Sequence, residues 1–232
     1  GPLSCKILNL LNVTDIENLK PFQFQNFQIN NSNVLISRTG FSGDLGYEIW
    51  CDPTDALNVW DSLFKFNRDY KVLPSGMNAL DMVRIEAGFI QPNADFMSAE
   101  QALRPNRMRN PYELGLSWLV DLEKNYFNGK AALKKIKAEG IKRKQVGLEI
   151  DCKPLPGPNT MFWSIKKDNK KIGKVTSAVY SPRLKKNIAL AMISIQNSKI
   201  GTDIEVETNE GKFAAKIVEK PFYDPKKKIA SN

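Results

Sequence analysis

Six short segments near the end of this chain constrain its fold more than any other feature. Val146–Ile150, Met161–Ile165, Ile172–Ser177, Ile188–Ile193, Ile204–Glu207 and Phe213–Val218 recur as short β-type segments. Turn signals separate them: Pro156-Gly157-Pro158, Asp168-Asn169, Ser181-Pro182 and Asn209-Glu210-Gly211. A period of two puts successive side chains on opposite faces, so each segment has one face to bury. Six such strands within about 75 residues point to a small antiparallel barrel, closed or nearly so.

The chain before this stretch reads differently. Residues 5–12 have helical apolar spacing, and an extended region follows through Phe22, Phe24 and Phe27. A strand at Asn33–Arg38 is expected to pair with Gly46–Cys51 across a glycine-rich turn. Asp52-Pro53 supplies an N-cap and a first helical position, and Leu57, Trp60, Leu63 and Phe64 then form an apolar stripe at helical spacing. Ser75 can cap a second helix with Leu80, Val83 and Ala87 on one face and Gly88 as its stop. Residues 90–115 hold Pro92, Pro105 and Pro111 with Arg104, Arg107 and Arg109, which predicts a long irregular connection. Leu116–Leu122, around Trp118, is strand-like. Asn128 is expected to cap a short helix that ends at Gly140. The change of character near Ile141 marks a domain boundary, and the fold class is α+β: residues 1–140 mixed, 141–225 a barrel, 226–232 a basic tail.

Composition narrows the chemistry. A length of 232 residues suits two domains, and 42% hydrophobic with 25% charged residues excludes a disordered chain. No apolar run is long enough for a bilayer, so no membrane role is expected. Cys5, Cys51 and Cys152 are odd in number and in no metal-like spacing, which suits reduced thiols in a cytoplasmic protein. Histidine is absent, which removes histidine triads and imidazole acid–base work. The net charge of +9 is uneven: from Lys130 onward there are 23 Lys+Arg against 10 Asp+Glu, so the basic charge lies in the C-terminal half. Such a half either attracts a polyanion or is a lysine-rich solvated surface. No phosphate-cradling loop or aromatic-basic repeat is present, so no nucleic acid is expected as a partner.

The stretch Ser37–Trp50 is the strongest candidate for a site. Gly40, Gly43 and Gly46 fall within seven positions and deliver Glu48 onto a strand among apolar neighbours. A carboxylate accepts two parallel N–H bonds from a guanidine-like edge, such as that of a pterin. Arg84 could bind a carboxylate bidentately, or pair internally with Asp81. Trp118 could stack on a flat heterocycle, or fill a core.

In combination these segments resemble the aminomethyltransferase family, the T-protein of the glycine cleavage system and its relatives. Gly1-Pro2-Leu3-Ser4 resembles the start of that family's middle region. Ser37–Trp50 resembles its Arg-Thr-Gly-x-x-Gly-x-x-Gly-Tyr-Glu signature. Asp81–Gly88 resembles Asp-x-x-Arg-x-Glu-Ala-Gly. Gly115–Leu133, with Trp118, Phe127, Gly129 and Lys130, and Gly173–Ala191 in the barrel also match family patterns. The resemblance implies a tetrahydrofolate-binding domain at 1–140, with Glu48 on the pterin edge and Tyr47, Arg84 and Trp118 lining the folate site. It implies one-carbon transfer to tetrahydrofolate from a lipoyl carrier protein or a small-molecule donor. The family's catalytic aspartate lies in an N-terminal region with no counterpart here, so no catalytic residue is named and an N-terminally incomplete chain is expected. Phe89–Phe96 and the Arg-rich 99–110 depart from the familiar pattern. A demethylase of a small methylated donor, such as a sulfonium compound, and a folate-binding protein without turnover are therefore the alternatives.

Overall fold

The computed structural model describes residues 1–159 and 161–231. It divides into two units, Gly1–Arg84 with Asp224–Asn232, and Ile85–Tyr223.

The first unit is built on a three-stranded antiparallel sheet in the order β1 (Phe24–Ile29), β2 (Ser32–Ser37), β3 (Glu48–Cys51). Asn30 and Asn31 join β1 to β2 with φ of 48° and 67°, a two-residue turn that matches strand twist and that Asn tolerates. This makes the expected extended region at 22–27 a paired strand, with Phe27 opposite Val34 and Ile29 opposite Ser32. Val34 and Ile36 are buried on one sheet face against Leu8, Val13, Ile16 and Leu19, the first from helix α1 (Ser4–Leu10).

Asp52 and Pro53 start a 3₁₀ turn, Pro53–Asp55, with the Asp52 carboxylate accepting the Thr54 amide at 2.9 Å, and that turn leads into helix α2 (Ala56–Phe64), which has no side-chain cap of its own. Its buried face corrects the expected stripe. Val59 and Ser62 are buried and Leu63 packs on the core, whereas Leu57 and Trp60 are 71% and 53% exposed. The reason is polar: Asn58 Nδ2 donates to the Asn30 carbonyl at 2.9 Å and to Ser32 Oγ at 2.8 Å. That pins the helix rotation to the β1–β2 turn. A short helix α3 (Asn67–Tyr70) follows, then α4 (Met77–Glu86). The amides of Ala79 and Leu80 go to the Gly76 carbonyl, so α4 begins just beyond Ser75. Gly88 ends it with φ of 71°.

The second unit, which begins well ahead of the expected boundary near Ile141, contains the expected barrel. Strands β4 (Arg143–Ile150), β5 (Trp163–Lys167), β6 (Lys170–Ser181), β7 (Lys186–Ser194), β8 (Asp203–Thr208) and β9 (Gly211–Val218) close in the order β4-β7-β6-β5-β8-β9, every pair antiparallel. The interior is aliphatic: Leu148, Ile165, Val175, Ala178, Ala189, Val206 and Ile217 among others. Asp168 and Asn169 turn β5 into β6 with φ of 50° and 61°. Gly173 is needed by packing. A Cβ there would fall 2.8 Å from Ile193 Cα and closer still to the Met192 carbonyl oxygen.

Two local expectations fail ahead of the barrel. Leu116–Leu122 holds no strand; Ser117–Leu119 is a single 3₁₀ turn. Helix α5 (Lys130–Glu139) has Gly129 at its N-cap with φ of 91° and no side-chain cap. Asn128 instead accepts the Tyr126 hydroxyl. Gly140 does end the helix, at φ of 80°.

Candidate functional site

The segment that presents Glu48 is a ten-residue loop, Arg38–Tyr47, between β2 and β3. Its root is fixed by the backbone: Arg38 N–H donates to the Gln23 carbonyl at 2.9 Å, and Phe22 N–H to that of Arg38 at 3.0 Å. Arg38 Nη1 reaches the Leu19 carbonyl at 2.9 Å. Of the three glycines, only Gly43 adopts a left-handed conformation, φ of 79°. A Cβ on Gly40 or Gly46 would meet nothing nearer than 3.8 Å, so neither is required by crowding within this chain.

At the exit of the loop, adjacent residues take opposite faces. Tyr47 turns inward onto the core, and its hydroxyl donates to the Ile16 carbonyl at 3.4 Å. Burial, reinforced by Cys5 beside it, pushes its phenol up to about 12. Glu48 turns outward and is exposed, with no hydrogen bond or ion pair to its carboxylate among the described residues.

Cross-strand partners share a face, so the register defines what surrounds Glu48. Ser37 lies opposite it and Phe24 opposite Ser37; the next outward row is Trp50, Leu35 and Asn26. Trp50 is 61% exposed and Phe24 68%. A shallow groove of about 550 Å³, lined by Asn26, Leu35, Trp50 and Asp52 among others, runs along that second row. The face thus offers a carboxylate beside two open aromatic rings. Trp50 escaped the sequence reading, although its place two residues after Glu48 on a strand puts it on the same face.

Arg84 takes the internal alternative. It is 2% exposed, and its Nε donates to Asp81 Oδ1 at 2.8 Å, one turn back on α4. In the first unit Tyr47 is a packing residue, Glu48 an exposed carboxylate and Arg84 a buried, ion-paired cation. Trp118 belongs to the second unit and is 76% exposed on its 3₁₀ turn, so it fills no core.

The second unit also buries carboxylates that sequence reasoning passed over. Asp95 is 4% exposed. Its Oδ1 accepts the hydroxyls of Thr176 and Ser177 at 2.6 and 2.7 Å, and its Oδ2 the Gln91 amide at 3.0 Å. Glu86 accepts from the Ser181 hydroxyl and faces Arg183 Nη1 at 3.7 Å, while the Arg183 guanidinium sits 3.9 Å over the Tyr223 ring. An isolated Asp in a proline-containing connection carries no periodic signal, so only the fold shows its burial. Among the described residues no group of three or more His, Cys, Asp or Glu is placed to hold a metal ion. No helix among them is long and apolar enough to cross a membrane.

Comparison with known proteins decides the family. The GCVT N-terminal domain profile matches residues 1–124, and that of the glycine cleavage T-protein C-terminal barrel domain matches 143–224. The chain belongs to the aminomethyltransferase family. A curated relative from Bacillus pumilus, named Aminomethyltransferase, is 36% identical over 225 residues, covering 96% of this chain and 58% of the relative. One of the same name from Bacillus subtilis is 36% identical, with 96% and 59% covered. The chain thus spans less than two thirds of the length of these aminomethyltransferases. The solved structure of glycine cleavage system aminomethyltransferase T from Bartonella henselae shares the fold, with a TM-score of 0.78 at 24% identity, over 95% of this chain and 57% of that one.

Proposed function

We propose that the protein containing this chain is a tetrahydrofolate-dependent one-carbon transferase of the aminomethyltransferase type. The observation that carries the reading is Glu48: it stands inside the family signature, exposed, with no partner in the described chain, next to Trp50 and Phe24 on one sheet face. A carboxylate in that position fits the paired N–H edge of a pterin, and the open rings fit a flat heterocycle. Tyr47 contributes by anchoring the strand entry, since its hydroxyl is engaged with Ile16. Arg84 contributes rigidity through Asp81. Trp118 is an exposed ring of the second unit, and the family resemblance alone carries its part in folate binding. When bound, tetrahydrofolate accepts the one-carbon unit; the residues named here hold and orient it.

The donor is read as an aminomethyl group on a lipoyl carrier protein. A second reading, demethylation of a small methylated compound, is favoured by the departure of residues 89–110 from the family pattern. Turnover that depends on a lipoyl carrier separates the two, and turnover of neither donor points to a binding protein. Calorimetric titration of tetrahydrofolate into the complete protein tests the shared core of these readings. Glu48→Gln should weaken binding by about 1–3 kcal/mol, the scale of a hydrogen bond to a charged group. An unchanged affinity removes Glu48 from the site.

A further inference from the structure

The Arg-rich connection that departs from the family pattern is drawn against the barrel and concentrates positive charge there. Arg109 Nη1 donates to the carbonyl oxygens of Asn106 and Met108 at 3.0 and 2.6 Å. Arg143, at the start of β4, donates through its Nη1 to the same Asn106 oxygen at 3.2 Å. Two guanidinium groups therefore converge on one carbonyl. The carboxylate beside them is Glu113, buried, which holds Arg143 Nε at 3.0 Å. Lys174 on β6 holds its ammonium 3.5 Å over the Phe162 ring, a contact with an aromatic face rather than an acid. Arg107, Arg109, Lys171 and Lys174 make no ion pair among the described residues.

These cations feel one another. Burial, then the charges of Arg109, Arg107 and Lys171, lower the Lys174 ammonium from its ordinary value. Burial and Arg143 do the same to Arg109, with Glu113 opposing. Arg109 and Arg143 share one carbonyl beside the Glu113 carboxylate, and Lys174 is within electrostatic reach of Arg109, so like charges keep a standing repulsion there. The fold also orients the groups: Arg109 is half-buried and held at one nitrogen by backbone, and its Nε and Nη2 meet no acceptor among the described residues. A solvated lysine face has neither feature, because its ammonium groups spread apart in water.

We infer that Arg109, Arg143 and Lys174 form a binding site for a small polyvalent anion, bearing two or more carboxylate or phosphate groups. A guanidinium fork matches either group geometrically, and Lys174 adds a point charge. The site lies within the second unit, and its test does not depend on folate chemistry.

Calorimetric titration of the full chain with pyrophosphate and with citrate, at fixed ionic strength, tests it. One saturable site is expected, and Arg109→Gln and Lys174→Gln should each weaken it by at least about tenfold. Lys174→Gln touches only the Phe162 ring, so a folding defect in the Arg109 variant leaves the test intact. A control, Lys134→Gln with Lys199→Gln, removes charge from exposed positions outside the cluster and should change affinity by less than about threefold. Tighter pyrophosphate identifies a phosphate ligand; tighter citrate identifies a polycarboxylate. Absence of saturable binding of both anions overturns the site, as does an equal loss in the control, which would reduce the effect to net charge.

Discussion

Lys220 shows how a single side chain departs from its sequence-level reading. It reads as one more cation in a basic half, yet it is largely buried, and its Nζ donates to Gln145 Oε1 at 2.7 Å. Burial brings its ammonium down to about 8 from 10.5, with Asp95 opposing the shift and Lys144 adding to it. The unfolded chain then binds more protons than the folded one between pH 8 and 10.5, so this group makes stability rise with pH across that window. Below pH 8 both states carry the charge and the burial penalty is present in full. Urea unfolding should show wild type gaining about 1–3 kcal/mol on Lys220→Met between pH 7.5 and 10.5. A constant difference would place the amine in water. Arg84, Tyr47 and Asp95 teach the same lesson. Sequence names a residue type with two uses, and burial and the nearest partner select one.

At the scale of elements, signals that act through the backbone were the reliable ones. Asp52-Pro53 starts the 3₁₀ turn that leads into α2, Gly88 and Gly140 end their helices, and Asp168-Asn169 makes its hairpin, because each acts within a few residues. The Asn30-Asn31 turn carried an equivalent signal, two residues that accept positive φ, and it accounts for β1 as a paired strand. Failures occurred where distant groups decide. The rotation of α2 is set by Asn58 bonding across to Asn30 and Ser32, which apolar spacing cannot register. Around Trp118 the apolar run resembles a strand, but no neighbouring strand pairs with it and it closes into one 3₁₀ turn. Gly173 tests the barrel in the same terms. Gly173→Ala drives a methyl into backbone atoms of β7, which cannot yield as a side chain would. A loss of about 2–4 kcal/mol in thermal or urea unfolding is expected. A neutral effect would mean that β6 and β7 separate locally more easily than their register implies.

For the whole molecule, the two units differ in how their sheets end. The barrel closes on itself, and Val175–Val179 of β6 and Asn187–Ile193 of β7 are buried throughout. The three-stranded sheet leaves β1 and β3 each with an edge unpaired by another named strand. Backbone amides should therefore exchange with deuterium slowest in β6 and β7 and faster in β1 and β3. The opposite order in mass-spectrometric exchange would contradict closure as the source of protection. The sequence by itself determined the α+β class, the six barrel strands, the signature around Glu48 and the family, because these rest on local periodicity, turn chemistry and residue order. Only the tertiary structure decided that Glu48 stands exposed on the same sheet face as Trp50 and Phe24, that Arg84 is paired with Asp81, and that Arg109 and Arg143 converge on the Asn106 carbonyl. Those outcomes depend on strand register and on which side chains meet across long separations, and a linear pattern holds no record of either.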